Sequence, residues 1–551
     1  MRATTIALLL SLGFVSAAHA GERPFVRTWD GEGVPIDLAA PGAAVSAAAQ
    51  VAAPAGFVDL SRDCLEPVSF RNTVLARYGD NVPGVGPLYL VAPAGTANMN
   101  NAGKAAFWSR ISAGDRNHGV FIADDSGIRA VVVGCGGGFG SGQPGTGCGD
   151  PSPIGGTFSG IYGGSGTPGF NDAGDVLFVS DVNGGSAPRG MFLYRAATQT
   201  FVKVVAIGDA SPAGGTISSL GLASLNTQGD VVLIAEHNGA GGPVHVLKWV
   251  NGTLSTFLKV GDPAPGGGTF TLIGREYFGF QDGTRLYIGN VPGVNDAGQV
   301  AFFSLVSGGL AERGIFLKTG TNIEWYLKAG ESSPAGGTYL DFWQPLLNES
   351  GQIAIFCDLR DGPGSAWIVG KPGQFRKALA FYDQYFGGQV MGMAVSRNPF
   401  QALDDCGNLV AWCVIRLPDT TEWDHTIFCR ADGGTPLAIA KEGEATPIGG
   451  NYTGMSGWPS MANKLTGSFG AYTPGSGVPN AFFKFRGRGR GDLNCDGVVD
   501  FDDINPFVLA LSDPGGYAAQ YPDCDIRTGD VNGDGNVNFD DINPFVALLT
   551  S

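Results

Sequence analysis

The stretch Asn295 to Phe303, N-D-A-G-Q-V-A-F-F, decides the fold, because its pattern occurs seven times between Asn100 and Tyr472. In each copy a glycine is followed by one polar residue and then by an apolar run. Self-similarity at a regular spacing is the sequence signature of a repeat architecture. The seven glycines are Gly103, Gly174, Gly229, Gly298, Gly351, Gly407 and Gly467.

Around each glycine the sequence predicts four short antiparallel strands. In the unit of Gly229, an apolar run from Ile217 to Leu225 precedes the turn, a second run from Asp230 to Ala235 follows it, and Asn251-Gly252 joins two further runs. Asn-Gly between apolar runs is a strong hairpin signal, because both central residues of that turn need positive φ. Most units end in Gly-Asp or Gly-Glu, but the unit that ends at Tyr382-Asp383 lacks the glycine.

The arrangement of these sheets follows from their apolar faces. The second strand is apolar on both faces, as in Val300 to Phe303, so each sheet must be covered on both sides. Sheets stacked around a closed axis satisfy this requirement. The first recognisable strand, Phe70 to Tyr78, matches the fourth strand of a unit, whereas the last body strand, Ala481 to Phe485, matches the third. We therefore expect an all-β fold, a seven-bladed β-propeller of four-stranded antiparallel blades closed by the N-terminal strand. An open solenoid or a pair of β-sandwiches is the alternative.

The N-terminus has the features of an export signal. Arg2, the apolar run Ile6 to Val15 and Ala18-His19-Ala20 match a signal peptide. The run is about half of the ~20 residues that span a bilayer, which disfavours a membrane anchor. The predicted location is extracellular or at the cell surface, with the periplasm as the alternative. The predicted boundaries are 1–20 for the signal peptide, 21–65 for an irregular Ala/Pro/Gly-rich lead-in, 66–485 for the propeller, 486–491 for an Arg/Gly linker and 492–551 for a C-terminal domain.

The charge of the chain is concentrated at its end. The formal net charge is −16, and residues 492–551 contain twelve Asp, no Glu and one Arg. The body is therefore nearly neutral and has no electrostatic footprint for nucleic acid. Accordingly, we interpret the Arg/Gly tract at 486–491 as a flexible linker between domains rather than as an RNA-binding segment. No later stretch of the sequence is long and apolar enough to span a membrane.

Nine cysteines in an exported chain can form disulfides. Cys135 and Cys148 bracket a glycine-rich insertion, and Cys495 and Cys524 lie inside the C-terminal domain, so we predict these two pairs. The other five cysteines are an odd number, so at least one thiol stays free or pairs between chains. Their pairing is left open for Cys64, Cys357, Cys406, Cys413 and Cys429.

The C-terminal domain contains two twelve-residue loops, 492–503 and 530–541, with the pattern of calcium sites. Oxygen-bearing side chains occupy positions 1, 3, 5, 9 and 12, glycine at position 6 allows a sharp turn, and position 7 offers its carbonyl. The loops predict two bound calcium ions. The ligands are Asp492, Asn494, Asp496, Val498, Asp500 and Asp503 in the first loop, and Asp530, Asn532, Asp534, Asn536, Asn538 and Asp541 in the second.

These loops resemble those of type I dockerins, the modules that attach secreted proteins to cohesin-bearing scaffolds. The resemblance covers 492–551 and implies a calcium-binding, partly α-helical module with a cohesin-like or cell-surface protein partner. Positions 10 and 11 depart from the cellulosomal pattern, because Phe501-Asp502 and Phe539-Asp540 replace small hydroxyl residues. The seven-repeat body resembles uncharacterised secreted β-propellers of planctomycete-type bacteria. We expect calcium removal to unfold the tail and to leave the body folded.

The sequence contains no recognisable catalytic motif. The four histidines of the predicted mature chain have no metal-ligand spacing, and neither a phosphate loop in strand–loop–helix context nor G-x-S-x-G occurs. The Asn-Asp-Ala-Gly turns resemble the structural Asp-boxes of sialidase propellers. Paired carboxylates for glycosidic cleavage could come from Asp341, Glu276 or Glu324, on different blades.

Aromatic residues of the first strands could instead stack on sugar rings near the axis. For most of them, the sequence favours packing between blades. The candidates for a carbohydrate ligand are Tyr339, Trp343, Tyr452 and Trp458, alongside Phe342. The sequence thus favours a secreted, non-catalytic binding or assembly protein tethered through its calcium-dependent tail. A polysaccharide-degrading hydrolase or lyase carried by the same tail is the alternative.

Overall fold

The computed structural model describes residues 25–27, 33–35, 64–90, 97–112, 116–135, 149–161, 168–238, 243–279, 285–289, 292–394, 402–455 and 458–550. The predicted signal peptide and most of the lead-in lie outside this part of the chain. Seven antiparallel sheets form the blades of an all-β propeller. Each blade is built on four or five antiparallel strands, and short additional strands extend some of the sheets.

The strands are numbered in chain order and grouped by blade. The N-terminal strands are β1 (Phe25–Arg27), β2 (Gly33–Pro35) and β3 (Pro67–Arg77). Blade 1 contains β4 (Asn81–Val82), β5 (Gly86–Leu90), β6 (Asn98–Met99), β7 (Ala105–Ile111), β8 (Arg116–Asp124) and β9 (Gly127–Cys135). Blade 2 contains β10 (Thr157–Ile161), β11 (Gly169–Phe170), β12 (Val176–Asn183), β13 (Arg189–Arg195) and β14 (Thr200–Ala206).

Blades 3 and 4 come next in the chain, together with one additional hairpin. Blade 3 contains β15 (Ile217–Leu225), β16 (Val231–His237), β17 (Val244–Val250) and β18 (Thr253–Leu258). Blade 4 contains β19 (Thr269–Ile273), β22 (Gly293–Val294), β23 (Val300–Ser307), β24 (Arg313–Thr319) and β25 (Asn322–Lys328). A hairpin of β20 (Arg275–Gly279) and β21 (Arg285–Gly289) follows β19 in the chain and extends the sheet of blade 3, where β21 pairs in parallel with β15.

The last three blades complete the ring. Blade 5 contains β26 (Thr338–Leu347), β27 (Ile353–Arg360), β28 (Ser365–Gly370) and β29 (Arg376–Ala380). Blade 6 contains β30 (Gln384–Tyr385), β31 (Gly388–Ala394), β32 (Leu409–Arg416), β33 (Glu422–Cys429) and β34 (Leu437–Lys441). Blade 7 contains β35 (Ser460–Met461), β36 (Thr466–Tyr472), β37 (Asn480–Gly489) and the N-terminal strand β3.

The N-terminal strand closes the ring, which confirms the prediction. Strand β3 pairs antiparallel with β37, from Pro67 opposite Gly489 to Arg77 opposite Ala481. A disulfide between Cys64 and Cys406 lies close to this closure and resolves two of the cysteines whose pairing was open. In the described part of the chain, the thiols of Cys357, Cys413 and Cys429 are buried and form no disulfide.

Both faces of the second strand are buried between blades, as the apolar pattern predicts. On β23, Phe302 packs in a core with residues of blade 3, whereas its neighbour Phe303 packs in a core with residues of blade 5. Aromatic rings mark these interfaces, and the Phe302 and Phe316 rings stack with centroids 5.4 Å apart. Each sheet therefore shares its apolar faces with two neighbours.

The repeated turn requires a left-handed glycine in six copies, with φ of +74° at Gly298 and +85° at Gly407. In the seventh copy, the predicted turn glycine is not part of the turn. Gly467 lies inside β36, and the turn before it uses Lys464 and Leu465, with φ of +57° and +54°. Leu465, at the position of the glycine, adopts this conformation at a cost, so glycine spacing did not locate the turn. The missing glycine of blade 5 is likewise replaced by Tyr382 at φ of +68°.

Two predicted irregular segments form strands. In the lead-in, β1 pairs in parallel with β31 and antiparallel with β2, because the edge of β31 offers unpaired backbone groups. Residues 486–489 of the predicted linker continue β37, because β3 extends far enough to pair with them. The tail beyond contains α1 (Ile504–Ser512), α2 (Pro514–Gln520) and α3 (Ile542–Thr550). None of the helices in the described part of the chain has the length and apolar character that crossing a bilayer requires.

Candidate functional site

The first residue of the repeated turn is a buried Asn or Asp in six of the seven blades, and hydrogen bonds link these residues from blade to blade in a ring. In blade 5, Asn348 accepts a hydrogen bond from the backbone N–H of Gln352 at 2.8 Å, and its side-chain amide donates to the carbonyl of Asp404 in the next blade at 2.8 Å. Equivalent blade-to-blade bonds begin at Asn100, Asn171, Asn226 and Asn295. The repeated asparagine therefore joins neighbouring blades.

The second residue of each turn forms a polar rim beside this ring. The Asp296 carboxylate accepts the N–H of Thr227 at 2.7 Å, and the Glu349 carboxylate accepts the N–H of Asp296 at 2.8 Å. Asp405 and Asn463 continue the same chain of bonds. These carboxylates accept hydrogen bonds from backbone groups, which gives them a structural role; Glu349 is exposed, whereas Asp296 and Asp405 are half-buried.

An axial cavity lies behind the ring, bounded by residues of six blades. It has a volume of about 70 Å³, and Phe170, Leu225, Val294, Gln344 and Leu403 contribute to its wall. Pockets that hold small organic ligands are typically several hundred Å³. A sugar ring does not fit into this space.

The aromatic residues predicted to stack on sugars belong to the core. Tyr339, Tyr452 and Trp458 are buried, and Trp343 is half-buried against the same packing. Tyr452 packs against Phe483 with ring centroids 5.2 Å apart. These rings pack against neighbouring strands, in agreement with the packing role that the sequence favours, and a carbohydrate-binding role for them stays a prediction.

The carboxylates considered for glycosidic cleavage do not form a pair in the described structure. Asp341 is buried on β26, and it accepts hydrogen bonds from its neighbour Phe342 at 2.9 Å and from Arg313 at 3.2 Å. Glu324 is exposed on β25, the outermost strand of blade 4. The side chain of Glu276 lies outside the described residues.

The four histidines have structural environments. His118 is buried, and its Nε2 accepts the backbone N–H of Ile161 from the next blade at 3.0 Å. Burial lowers its pKa to about 4, so the ring is neutral near pH 7. Burial also lowers the pKa of His425 to about 4 and the pKa values of His237 and His245 below their ordinary range.

The first predicted calcium loop is held by bonds between its own ligand residues and its backbone. Asp492 Oδ2 accepts the N–H of Gly497 at 3.0 Å, which fixes the sharp turn at position 6. Asp503 Oδ1 accepts the N–H groups of Leu493 and Asn494 at 2.7 and 2.9 Å, and its Oδ2 accepts that of Asp500 at 3.0 Å. Position 12 thus ties together both ends of the loop.

The second loop has the same bonds in the same positions. Asp530 Oδ2 accepts the N–H of Gly535 at 3.1 Å, and Asp541 accepts the N–H groups of Asn532 and Asn538 at 3.0 and 2.9 Å. The predicted disulfide Cys495–Cys524 is confirmed and ties the first loop to the segment between the loops. The partner predicted for Cys135, Cys148, lies outside the described residues.

One carboxylate oxygen in each loop is left without a protein partner. Both residues are more than nine-tenths buried, and Oδ1 of Asp492 and Oδ1 of Asp530 accept no hydrogen bond from the described part of the chain. Burial, followed by the charges of Asp503 and Asp496, raises the pKa of Asp492 to about 7. An uncompensated buried carboxylate is costly, and a hard cation with oxygen ligands would compensate it.

The described residues contain no group of three or more His, Cys, Asp or Glu that could hold a metal ion by themselves. The predicted loops also rely on Asn side chains and on the carbonyls of Val498 and Asn536, which are outside that set of residue types. With these oxygens included, the donors present are those that calcium prefers. The two calcium sites stay a prediction.

The tail packs directly on blade 7. Arg71 of β3 pairs with Asp523 at 2.6 Å, and Ser69 donates to Asp525 at 2.8 Å. Arg490, just beyond β37, pairs with Asp530 Oδ2 at 3.0 Å. Buried residues of the tail, including Phe507, belong to the same contiguous core as those of blade 7.

Sequence reasoning missed the arginines of this contact because it interpreted them as linker. The signal was present: arginine alternates with glycine at strand spacing immediately before an acidic domain. The blade-joining role of the turn asparagine was also missed. Its recurrence at one position of the turn was the available signal.

The solved structures that resemble this chain are distant. The described propeller resembles a protein of unknown function from Dyadobacter fermentans DSM 18053 (TM-score 0.29, 11% identity, 58% of this chain and 93% of that chain). It also resembles a PL25 ulvan lyase bound to -[GlcA(1-4)Rha3S]- (0.31, 12%, 74% and 95%) and the polysaccharide lyase Uly1 (0.36, 10%, 77% and 99%). These values carry no argument about function. No curated protein matches the sequence. A sequence-family profile described as "Family of unknown function (DUF7453)" matches residues 71–367.

Proposed function

The chain belongs to the family of unknown function DUF7453, whose match lies within the propeller, and from that premise we propose that it is a secreted propeller carried by a calcium-dependent assembly module. The module is the dockerin-like tail at 492–551, and its two loops each bind one calcium ion. The observation that carries the proposal is the pair of buried oxygens, Asp492 Oδ1 and Asp530 Oδ1, that lack a protein partner at equivalent positions of two loops. The disulfides support export, because such bonds persist in oxidising compartments.

The tail offers a duplicated apolar surface to a protein partner. Phe501, Ile504 and Val508 are 69%, 37% and 55% exposed around the start of α1. Their counterparts around α3 are Phe539, Ile542 and Val546, at 77%, 39% and 50%. Contiguous exposed apolar side chains are typical of protein interaction sites. A cohesin-like or cell-surface protein that covers one of these faces is the partner we propose.

Calcium titration of the full chain by isothermal calorimetry tests the metal part of this proposal. We expect two bound calcium ions. Replacing position 12 in both loops, Asp503→Ala with Asp541→Ala, should abolish binding because those carboxylates organise the loop backbone. Asp502→Ala is the matched control, since Asp502 is exposed at position 11 and is not a predicted ligand. Unchanged binding by the double variant would refute the assignment.

Polysaccharide degradation is the second candidate function. Some solved structures with a similar fold are polysaccharide lyases by title, which makes carbohydrate the first class of ligand to examine. The purified chain should be incubated with a panel of acidic and neutral polysaccharides. Release of reducing ends or unsaturated sugars would favour a hydrolase or lyase, and its absence across the panel would favour the assembly role.

A further inference from the structure

The two calcium loops differ in one contact with the propeller, and it involves Arg490. Its guanidinium pairs with Asp530 Oδ2 at 3.0 Å and also donates to the Asp530 carbonyl. Asp530 is the first ligand of the second loop. The Arg490 side chain is 21% exposed, so water screens this charge only in part.

The first loop has no equivalent ion pair. Asp492 Oδ2 accepts the N–H of Gly497, and in the described part of the chain no arginine or lysine lies within 4 Å of a ligand carboxylate of this loop. The nearest arginine of the same segment, Arg486, is exposed and donates to the carbonyl of Asp496. Arg486 also acts on the Asp492 carboxylate through its charge, but without a direct ion pair. The asymmetry among the described residues is therefore that a ligand carboxylate is in direct contact with an arginine in the second loop only.

A fixed positive charge beside a ligand repels an incoming divalent cation and withdraws charge from the carboxylate that would bind it. We propose that Arg490 lowers the calcium affinity of the second loop relative to the first, so that the first loop is filled at lower calcium concentration. This inference rests on the proposed calcium function. It assigns Arg490 as a positioning residue that sets the order of loading.

Arg490 is also shared with the strand that closes the propeller. Its Nε lies 3.3 Å from the Glu66 carboxylate, and its backbone N–H donates to the Glu66 carbonyl at 2.9 Å. Glu66 also pairs with Arg430 of blade 6 and lies two residues after Cys64. Glu66 and Asp530 both pair with the Arg490 guanidinium. The negative charge of Glu66 therefore offsets part of the positive charge that Arg490 presents to the second loop.

Calorimetric calcium titration of the full chain in an Asp503→Ala background, which silences the first loop, isolates the second loop. Arg490→Gln should then bind calcium about tenfold more tightly, on the scale of one unit charge removed near a partly screened site. Glu66→Gln should bind more weakly, because Arg490 is left to Asp530 alone. Arg71→Gln is the matched control: Arg71 pairs with Asp523, which is not a predicted ligand, and its affinity should stay that of the background.

The opposite signs expected for Arg490→Gln and Glu66→Gln separate the inference from general destabilisation, which would weaken binding in both. Far-ultraviolet circular dichroism should confirm that each variant is folded. If calcium binds and Arg490→Gln leaves the second-loop affinity unchanged or weaker, the inference is wrong and the proposed function stands. If the wild-type chain binds no calcium, the proposed function itself fails.

Discussion

The propeller body and the tail differ in the kind of buried polar atom that has no hydrogen-bond partner among the described residues. In the body these atoms belong to amides, hydroxyls, rings and arginines, such as Thr256 Oγ1 and Trp367 Nε1, and none belongs to a carboxylate. In the body, the side chain of Asn348 both accepts and donates, so its two ends are satisfied by protein. In the tail, Asp492 and Asp530 each keep one buried oxygen without a protein partner. Buried polar groups in native proteins are almost always paired. The difference is that the unpartnered atoms of the tail include carboxylate oxygens, which supports the proposed binding of a cation there.

The electrostatics follow the same division. The body is nearly neutral, but the tail concentrates carboxylates in two small loops. Burial raises the pKa of Asp503 to about 6, and the charge of Asp496 adds to this shift. The tail therefore carries the stronger internal repulsion when no cation is bound.

The largest effect that tests this comparison should come from removing calcium. In chelator we expect residues 492–550 to lose protection from hydrogen exchange, because the repelling carboxylates are no longer neutralised. Strands β3 and β37 should lose part of their protection, because Arg71 and Arg490 hold them to the tail. Blades 2 to 5 should keep theirs. The measurement is hydrogen–deuterium exchange by mass spectrometry, with and without calcium.

The outcome also separates two views of the tail. The sequence predicts that the body stays folded throughout, whereas the packing on blade 7 predicts a local loss at its closing strands. Equal protection of the tail in both conditions would contradict the comparison itself. Added calcium at a hundred times its dissociation constant should stabilise the folded tail by about 2.7 kcal/mol.

A smaller effect should appear in the body on acidification, through His118. Its folded-state pKa of about 4 lies below the ordinary value of 6.5, so the unfolded chain binds the proton more readily between these values. Stability from this residue is therefore full above pH 6.5 and is lost as the pH falls to about 4, by up to about 3 kcal/mol. His118→Gln keeps an acceptor for Ile161 and should remove that dependence.

Urea unfolding should be measured at pH 7.5 and pH 4.5 for wild type and His118→Gln. The loss of unfolding free energy between the two pH values is then compared between the two proteins. Other titrating groups contribute equally to both proteins and cancel. The wild type should lose more stability than the variant on acidification. Equal losses would show that the imidazole does not accept the bond that joins blades 1 and 2.

The smallest expected effect concerns one link of the axial ring. Asn348→Ala removes the acceptor for Gln352 and the donor to Asp404, which should cost about 2 kcal/mol of unfolding free energy. Asn322→Ala, at an exposed position on β25, is the control and should change stability by less than about 0.5 kcal/mol. Urea midpoints measured with calcium present compare the two variants. Equal midpoints would mean that the ring bonds are dispensable.

The sequence was sufficient to predict the architecture, because this fold depends on repeated, local features. Runs that are apolar on both faces, such as Val300 to Phe303, require cover on both sides, and the unmatched terminal strands predict closure. The sequence did not locate a turn in which residues other than glycine adopt positive φ. Lys464 and Leu465 adopt positive φ without glycine, so the seventh turn could not be located from glycine spacing.

The site was harder to predict because it depends on contacts distant in sequence. The ligand pattern of each loop is local, and the structure places its residues in equivalent bonds. The pairing of Arg490 with Asp530 requires β37 to extend past residue 485, which no local pattern reveals. The role of the aromatic candidates could not be decided from the sequence for a related reason: Tyr339 has the same composition signal whether it faces a sugar or the neighbouring Phe342 ring, against which it packs.

The bond between Cys64 and Cys406 joins residues that are 342 positions apart. Five whole blades and part of the sixth lie within the covalent circle that it forms. A protease that cuts one surface loop inside this circle leaves both new ends attached to the same molecule. Outside a cell, where peptidases are abundant and chaperones are not, a nicked copy of this protein would keep its pieces together until the disulfide is reduced.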